Sequence, residues 1–206
     1  MSLEYWKKIH RSIKEITPGD AQWLDRYADI FVESGRKNII DLGCGSGAES
    51  IHLLNSGYPV ISCDFSGVIL DKLASFNKRI ITEKFDFQHG FPFENGDAHV
   101  IVASLSLHYF DWETTREIVA EVGRVLDDNG CLICRLNSTK DVNHGAGRGI
   151  ELEKNFYEID GNRKRFFDRA AIDDLFSGWE TVVRRECVIL RFKQVKKAWE
   201  VVVRKR

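Results

Sequence analysis

The sequence predicts an α/β fold, with an open and mostly parallel sheet and helices on both of its faces. Three observations carry this. Short apolar runs alternate along the chain with stretches whose apolar residues return every three or four positions. One run, Asp97 to Ser104, is nearly all apolar, as a central strand covered on both faces requires. Another, Ile39-Ile-Asp-Leu42, leads straight into Gly43-Cys-Gly-Ser-Gly47 and then a helical pattern of Ala48, Ile51 and Leu54. A strand, a glycine turn and a helix in that order let backbone approach a nucleotide-like ligand. A side chain in the turn would block the ligand or forbid the dihedrals. Gly43-x-Gly45-x-x-Ala48 fits the dinucleotide fingerprint in its G-x-G-x-x-G/A form.

At 206 residues the chain suits a single domain, with residues 1–34 as a helical cap and 137–167 as a substrate-side loop. Thirty basic against 31 acidic residues give a net charge of −1, so there is no bulk attraction to nucleic acid or to an acidic membrane. No apolar run approaches the roughly 20 residues of a spanning helix. Residues 1–20 carry charges throughout and lack a signal-peptide core, so a cytoplasmic location is expected. Five cysteines, an odd number in a chain this size, are expected to be reduced. Cys131-x-x-Cys134 lies in a strand-like run, where residues three apart face opposite ways. It reads as buried filler, and no metal site is expected.

In order along the chain, Tyr5, Trp6, Ile9, Ile13 and Ile16 predict a first helix, broken at Thr17-Pro-Gly-Asp20. Trp23, Leu24, Tyr27, Ile30 and Phe31 predict a second, running to about Val32. Both suit a cover over one face of the sheet. The first also suits a lid over a ligand, with Tyr5 and Trp6 as its contacts. After the glycine turn and its helix, Val60 to Asp64 reads as the second strand. Asp64 ends it 21 residues after Gly43, where an acid can accept from both hydroxyls of a ribose or cap the next helix. That helix buries Ile69, Leu73 and Phe76. Arg79 to Phe85 is the third expected strand, followed by Asp86-Phe87.

Past the fourth strand, Leu105 to Phe110 leaves the sheet, and Asp111 caps a helix carrying Ile118, Val119, Val122 and Val125. Gly130 to Leu136 is the fifth strand. Residues 137–167 have no clear period and contain Gly145, Gly147 and Gly149, so they read as a long loop closing over a substrate. Asp168 to Phe176 is a short helix. Trp179 to Phe192 and Ala198 to Val203 form an antiparallel hairpin, with Lys196-Lys197 in its turn as solvated charge.

This order, with Asp41-Leu-Gly-Cys-Gly-Ser-Gly47, Asp64, Asp86-Phe87 and Val100-Ile-Val-Ala-Ser-Leu-Ser-Leu-His-Tyr109, resembles the class I S-adenosylmethionine-dependent methyltransferases over nearly the whole chain. The last run, with Asn155-Phe-Tyr157 and Arg165-Phe-Phe167, is similar to small bacterial members of the tellurite-resistance type. The resemblance implies a Rossmann-like sheet of seven strands whose last strand is antiparallel, with S-adenosylmethionine as cofactor. It also implies that Gly43 and Gly45 pass the methionine and ribose portions and that Asp41 helps orient that end. Asp64 would bind the ribose hydroxyls, and Phe65 would pack on adenine. Asp86 would take the adenine amino group beside the Phe87 amide, and backbone near Ala103 and Ser104 would receive the ammonium.

His108, at the sheet's carboxyl edge, reads either as a catalytic base or as a pocket wall. Tyr109, Asn143, His144, Arg148 and Tyr157 are further substrate-side candidates. The expected acceptor is a small molecule, with no nucleic-acid or membrane partner, handled by a monomer or homodimer. Two alternatives stand beside this reading: an NAD(P)-dependent oxidoreductase, and an S-adenosylmethionine-binding protein without turnover.

Overall fold

A computed structural model describes residues 3–206 apart from 18, 20, 36 and 191; Pro18 and Asp20 of the expected break lie outside the described residues. The chain begins with α1 (Leu3–Ser12), a 3-10 segment (Gln22–Tyr27) and α2 (Ala28–Glu33). It continues with β1 (Ile39–Leu42), α3 (Ala48–Asn55), β2 (Val60–Asp64), α4 (Gly67–Phe76), β3 (Ile81–Lys84) and β4 (Ala98–Ser104). Then come α5 (Trp112–Val125), β5 (Leu126–Asn137), β6 (Ile150–Glu153), β7 (Phe156–Ile159) and β8 (Asn162–Arg165). The chain closes with α6 (Arg169–Leu175), β9 (Glu180–Ile189) and β10 (Lys196–Arg204).

Seven strands form one sheet in the order β3-β2-β1-β4-β5-β10-β9. Neighbours from β3 to β5 are parallel, and β10 runs antiparallel to both β5 and β9. The two-residue alternation of strands sorts the core. Ile40, Leu42, Ile101, Leu132, Cys134 and Val201 face α5 and α6. Ile39, Val60, Val100, Val102, Cys131 and Val202 face Trp23, Leu24, Ile30 and Phe31. Cys131 and Cys134 therefore lie on opposite faces, and all five cysteines are free. Asp111 and Asp168 cap α5 and α6 by accepting from the Thr114 and Ala171 amides at 2.8 Å each.

Three expectations need correction. α1 stops at Ser12, so Ile13 and Ile16 pack from a loop rather than a helix. Phe76 is exposed, because α4 turns that side outward and buries Ile69, Leu70 and Leu73. Residues 137–167 are not a structureless loop: β6, β7 and β8 form a small antiparallel sheet. Its second turn is Asp160-Gly161, both at positive φ, the two-residue hairpin turn that an Asp-Gly pair favours. Among the described residues no helix is long and apolar enough to cross a membrane.

Candidate functional site

A cavity of about 480 Å³ opens at the carboxyl edge of β1, β2 and β4, between α1 and the small sheet. Open α/β sheets bind ligands at this edge, and the volume is in the range of small-molecule sites. Its floor is the turn between β1 and α3. Gly43 has φ of +76°, and a Cβ there would lie 2.5 Å from Ser106 Cβ. Gly45 has φ of +50°, and a Cβ there would meet no atom within 4 Å, because it would project into the cavity itself. The first glycine is needed for packing; the second leaves the floor bare backbone.

Asp64 stands at the end of β2 in the cavity wall and is 5% exposed. The Gly45 amide donates to its Oδ2 at 3.1 Å and the Ser66 amide to its Oδ1 at 2.9 Å. Burial raises its pKa, and those two amides oppose the rise. Asp64 thus both secures the turn to β2 and keeps lone pairs facing the cavity. Phe65 and Phe87 lie on the same wall, and Ser104 presents a buried hydroxyl without a hydrogen-bond partner. Leu105, next along, adopts φ of +59°, a conformation that costs a non-glycine residue about 1–3 kcal/mol and clusters at functional sites. Its amide is held by the Arg135 carbonyl at 2.9 Å.

α1 roofs this half. Tyr5, Trp6 and His10 line the cavity. Trp6 meets the Tyr109 ring edge-on at 5.4 Å, and His10 lies 6.1 Å from the Phe65 ring. Lys72 of α4 donates to the carbonyls of His10 at 2.8 Å and Ile13, a cation at the negative end of the helix. The lid contacts expected at Tyr5 and Trp6 are present, and His10 joins them.

The other half of the cavity is walled by His108, Asn137, His144, Lys164, Phe192 and Lys196. His108 is 2% exposed, with no partner for Nδ1. Burial holds its pKa well below the usual histidine range, and the charges of Lys196 and Lys164 push the same way, so the ring is neutral. Asn137 Nδ2 donates to the Arg165 carbonyl, while its buried Oδ1 has no partner. Lys196 is the clearest departure from expectation. Far from being solvated turn charge, it is 6% exposed and donates to Asp141 Oδ2 at 2.8 Å. Asp141 also accepts from the Lys197 amide and pairs with His144 Nδ1 at 2.9 Å.

Gly43, Gly45, Asp64, Phe65, Phe87, Ser104, His108 and Tyr109 therefore share one cavity, whereas Asp41, Asp86, Arg148 and Tyr157 are outside its wall. Asp41 is enclosed behind the turn, accepting from Ser50 Oγ at 2.6 Å. Burial, then the charge of Glu49, pushes its pKa up to about 7. Asp86 accepts from the Gln88 amide at 3.1 Å. Arg148 is exposed, and Tyr157 turns toward Glu151. Sequence reasoning missed Lys164, Lys196 and Asn137 as wall residues. The Asp160-Gly161 turn was the available signal for the strand that carries Lys164. Among the described residues no cluster of three or more His, Cys, Asp or Glu side chains is arranged to hold a metal.

The fit to S-adenosylmethionine can be judged from these groups alone. A bare glycine floor, a buried carboxylate beside it and two phenylalanine rings suit a flat base joined to a diol. The unpartnered Ser104 hydroxyl suits the polar end. A family model described as a methyltransferase domain matches residues 39–130, the segment from β1 into β5. A glycine/sarcosine N-methyltransferase of Parasynechococcus marenigrum is 30% identical over 120 residues, covering 53% of this chain and 41% of the relative. The chain spans less than half the length of the curated relatives it matches. Among solved structures, an S-adenosylmethionine-dependent methyltransferase of Methanosarcina mazei superposes with a TM-score of 0.72 at 17% identity, covering 82% of this chain and 92% of that one. TehB of Haemophilus influenzae gives 0.69 at 18% identity, covering 97% and 67%. At these identities the structures speak for the fold.

Proposed function

The chain belongs to the class I S-adenosylmethionine-dependent methyltransferases, with S-adenosylmethionine as its cofactor, and from that premise we propose that it transfers a methyl group in line to a heteroatom of a small-molecule acceptor. The observation that carries this reading is the continuous cavity. One half is glycine backbone, Asp64 and two phenylalanine rings, and the other half is side chains with no place in cofactor binding. The dinucleotide alternative loses ground because the sheet ends in an antiparallel pair, β10 and β9, where the six-stranded dinucleotide order is parallel throughout.

The cofactor, when bound, supplies an electrophilic methyl carbon on a cationic sulfur. Asp64 would accept from the ribose hydroxyls, Phe65 and Phe87 would flank the base, and Asp86, next to Phe87 but outside the cavity wall, would take its amino group. Ser104 and the Gly43-to-Gly45 backbone meet the methionine end, while Asp41 holds the turn from behind. Since the leaving group is already activated, the protein's share is alignment and exclusion of water. α1 and Tyr109 close the site above the reacting atoms. His108, neutral and with no partner at Nδ1, would receive the acceptor's N–H, O–H or S–H there in the tautomer protonated at Nε2. Methyl transfer would release that proton, which His108 or bulk water would take. A His108→Ala variant with full turnover would remove the proton-accepting role.

The test has two stages. S-adenosylmethionine or S-adenosylhomocysteine at about 100 times its dissociation constant stabilises by about 2.7 kcal/mol, a rise of roughly 5–10 °C in Tm, with NAD and NADP giving none. Formation of S-adenosylhomocysteine across an acceptor panel then separates a transferase from a protein that only binds.

A further inference from the structure

We infer that the acceptor half of the cavity is a carboxylate subsite, in which Lys164 pairs with a carboxylate borne by the acceptor while His108 and Asn137 meet the N–H, O–H or S–H group to be methylated. This rests on the small-molecule methyltransferase reading above. Three observations support it, each independent of the cofactor groups.

Charge is the first. Two lysines line this half, and they differ in kind. Lys196 is committed to Asp141, a carboxylate that is itself fully used by Lys196, the Lys197 amide and His144. Lys164 has no hydrogen bond or ion pair among the described residues. Asp141 and Asp160 reach it only through their fields, and burial pulls its pKa down. With one lysine matched and one not, this half of the wall has, among the described residues, one lysine without an ion-pair partner, and a half-buried cation gains from an anionic partner. One negative charge answers it, and a second would be left unpaired.

Orientation is the second. Strand side chains alternate between faces. Arg165, the next residue on β8, is buried on the opposite face from Lys164. There it donates to the carbonyls of Phe110 at 3.3 Å and Lys154 at 3.4 Å, pairs with Glu153, and lies against the rings of Trp112 and Phe156. Those contacts anchor the small sheet to the segment just past His108 and leave Lys164 directed into the cavity.

The third is the pair of unpartnered buried atoms, His108 Nδ1 and Asn137 Oδ1, on residues that line the same half. Asn137 Oδ1 accepts hydrogen bonds, and so does His108 Nδ1 in the tautomer protonated at Nε2, so the group they face is a donor. An acceptor molecule with a donor at one end and a carboxylate at the other satisfies every group in this half, and the space left beside the cofactor keeps it small.

The test uses matched pairs differing only in charge: glycine with glycinamide, 3-mercaptopropionate with 3-mercaptopropionamide, and 4-hydroxybenzoate with 4-hydroxybenzamide. Binding is measured by calorimetry on protein saturated with S-adenosylhomocysteine. The expected result is at least a tenfold preference for the carboxylate in one pair or more. That preference is lost in Lys164→Met and kept at least in part in Lys164→Arg, with the Tm rise from S-adenosylhomocysteine matching wild type in both variants. Equal binding within every pair, absence of binding included, overturns the inference, as does a preference that survives in Lys164→Met. Displacement of a bound carboxylate by equimolar inorganic phosphate also overturns it, by making the site one for a dianion. A wild-type protein that shows no cofactor-dependent rise in Tm fails earlier, at the family reading itself.

Discussion

The two halves of the cavity face each other and are built by different means. The cofactor half is made by the turn after β1, the ends of β2 and β4, Phe87 and the α1 roof. Its selectivity lies in backbone: a glycine floor, amide groups, and one carboxylate that those amides hold in place. The acceptor half is made by side chains from segments far apart in sequence, Asn137 on β5, Lys164 on β8 and Lys196 on β10. They are brought together by buried pairing through Asp141 and by the Arg165 anchor. A backbone-made surface tolerates few changes and suits a constant ligand. A side-chain-made surface can be altered one residue at a time, as a variable ligand demands.

The largest test of this contrast is Asp64→Ala. Charge-assisted hydrogen bonds contribute about 1.5–3 kcal/mol each, so two to a diol make the expected loss of S-adenosylmethionine affinity at least about 100-fold. Calorimetry would decide it, and a loss under tenfold would break the assignment of the cofactor half to Asp64.

Asp41→Asn tests the buried support behind the turn. An acid whose folded pKa of about 7 exceeds its unfolded value lets the native state bind more protons between those two values. Its contribution to stability is therefore full below about pH 4 and is lost as pH rises through about 7. An asparagine can still accept from Ser50 and has no such cost. Urea unfolding at pH 5 and pH 8 should show the variant gaining on wild type at the higher pH, and an unchanged difference would contradict the burial of a charge there.

Lys72→Met asks how much α1 contributes as a roof. With the His10 and Ile13 carbonyls unlatched, cofactor dissociation should quicken about three- to tenfold while Tm without ligand moves little. Stopped-flow release of S-adenosylhomocysteine reads this directly. The smallest effects belong to Arg148→Ala and Tyr157→Phe. Both residues lie off the cavity wall, so kcat/KM should stay within about twofold of wild type, and a larger drop would extend the site beyond its described wall.

The same contrast explains what could be read in advance. That Gly43, Gly45, Asp64 and Phe87 would come to one edge was legible because the signal is local, whereas Asp41 and Asp86, read the same way, lie outside the cavity wall. A strand ending in glycines requires close backbone approach wherever it occurs, and strand ends point to the same edge of a parallel sheet. The succession of strands and helices through β5 followed from periodicity, and an antiparallel terminal pair from the hairpin, whereas the order of strands across the sheet did not. The acceptor half was not legible, because β8 reads Asn162-Arg-Lys-Arg165, wholly polar and without an apolar alternation to mark it as a strand. Lys196 looked like solvent-facing charge for the same reason. Only the pairing of β10 with β5, together with an aspartate 55 positions earlier, puts it indoors. Long-range placement leaves no signature in a window of a dozen residues.

The strand order also sets a timetable. β10 is the last of the seven strands in chain order, yet it lies between β5 and β9. On a ribosome emitting about 5–20 residues per second, β9 emerges with no partner in the sheet, and β5 waits with one edge open. β9 cannot pair, and the second edge of β5 stays uncovered, until β10 arrives. Lys196 opens that strand, so its side of the cavity wall is completed only when β10 pairs. A nascent chain at that stage has its glycine floor encoded and emerged, but an incomplete acceptor wall. The Lys196 side of the cavity wall is thus completed in the same event that seals the sheet.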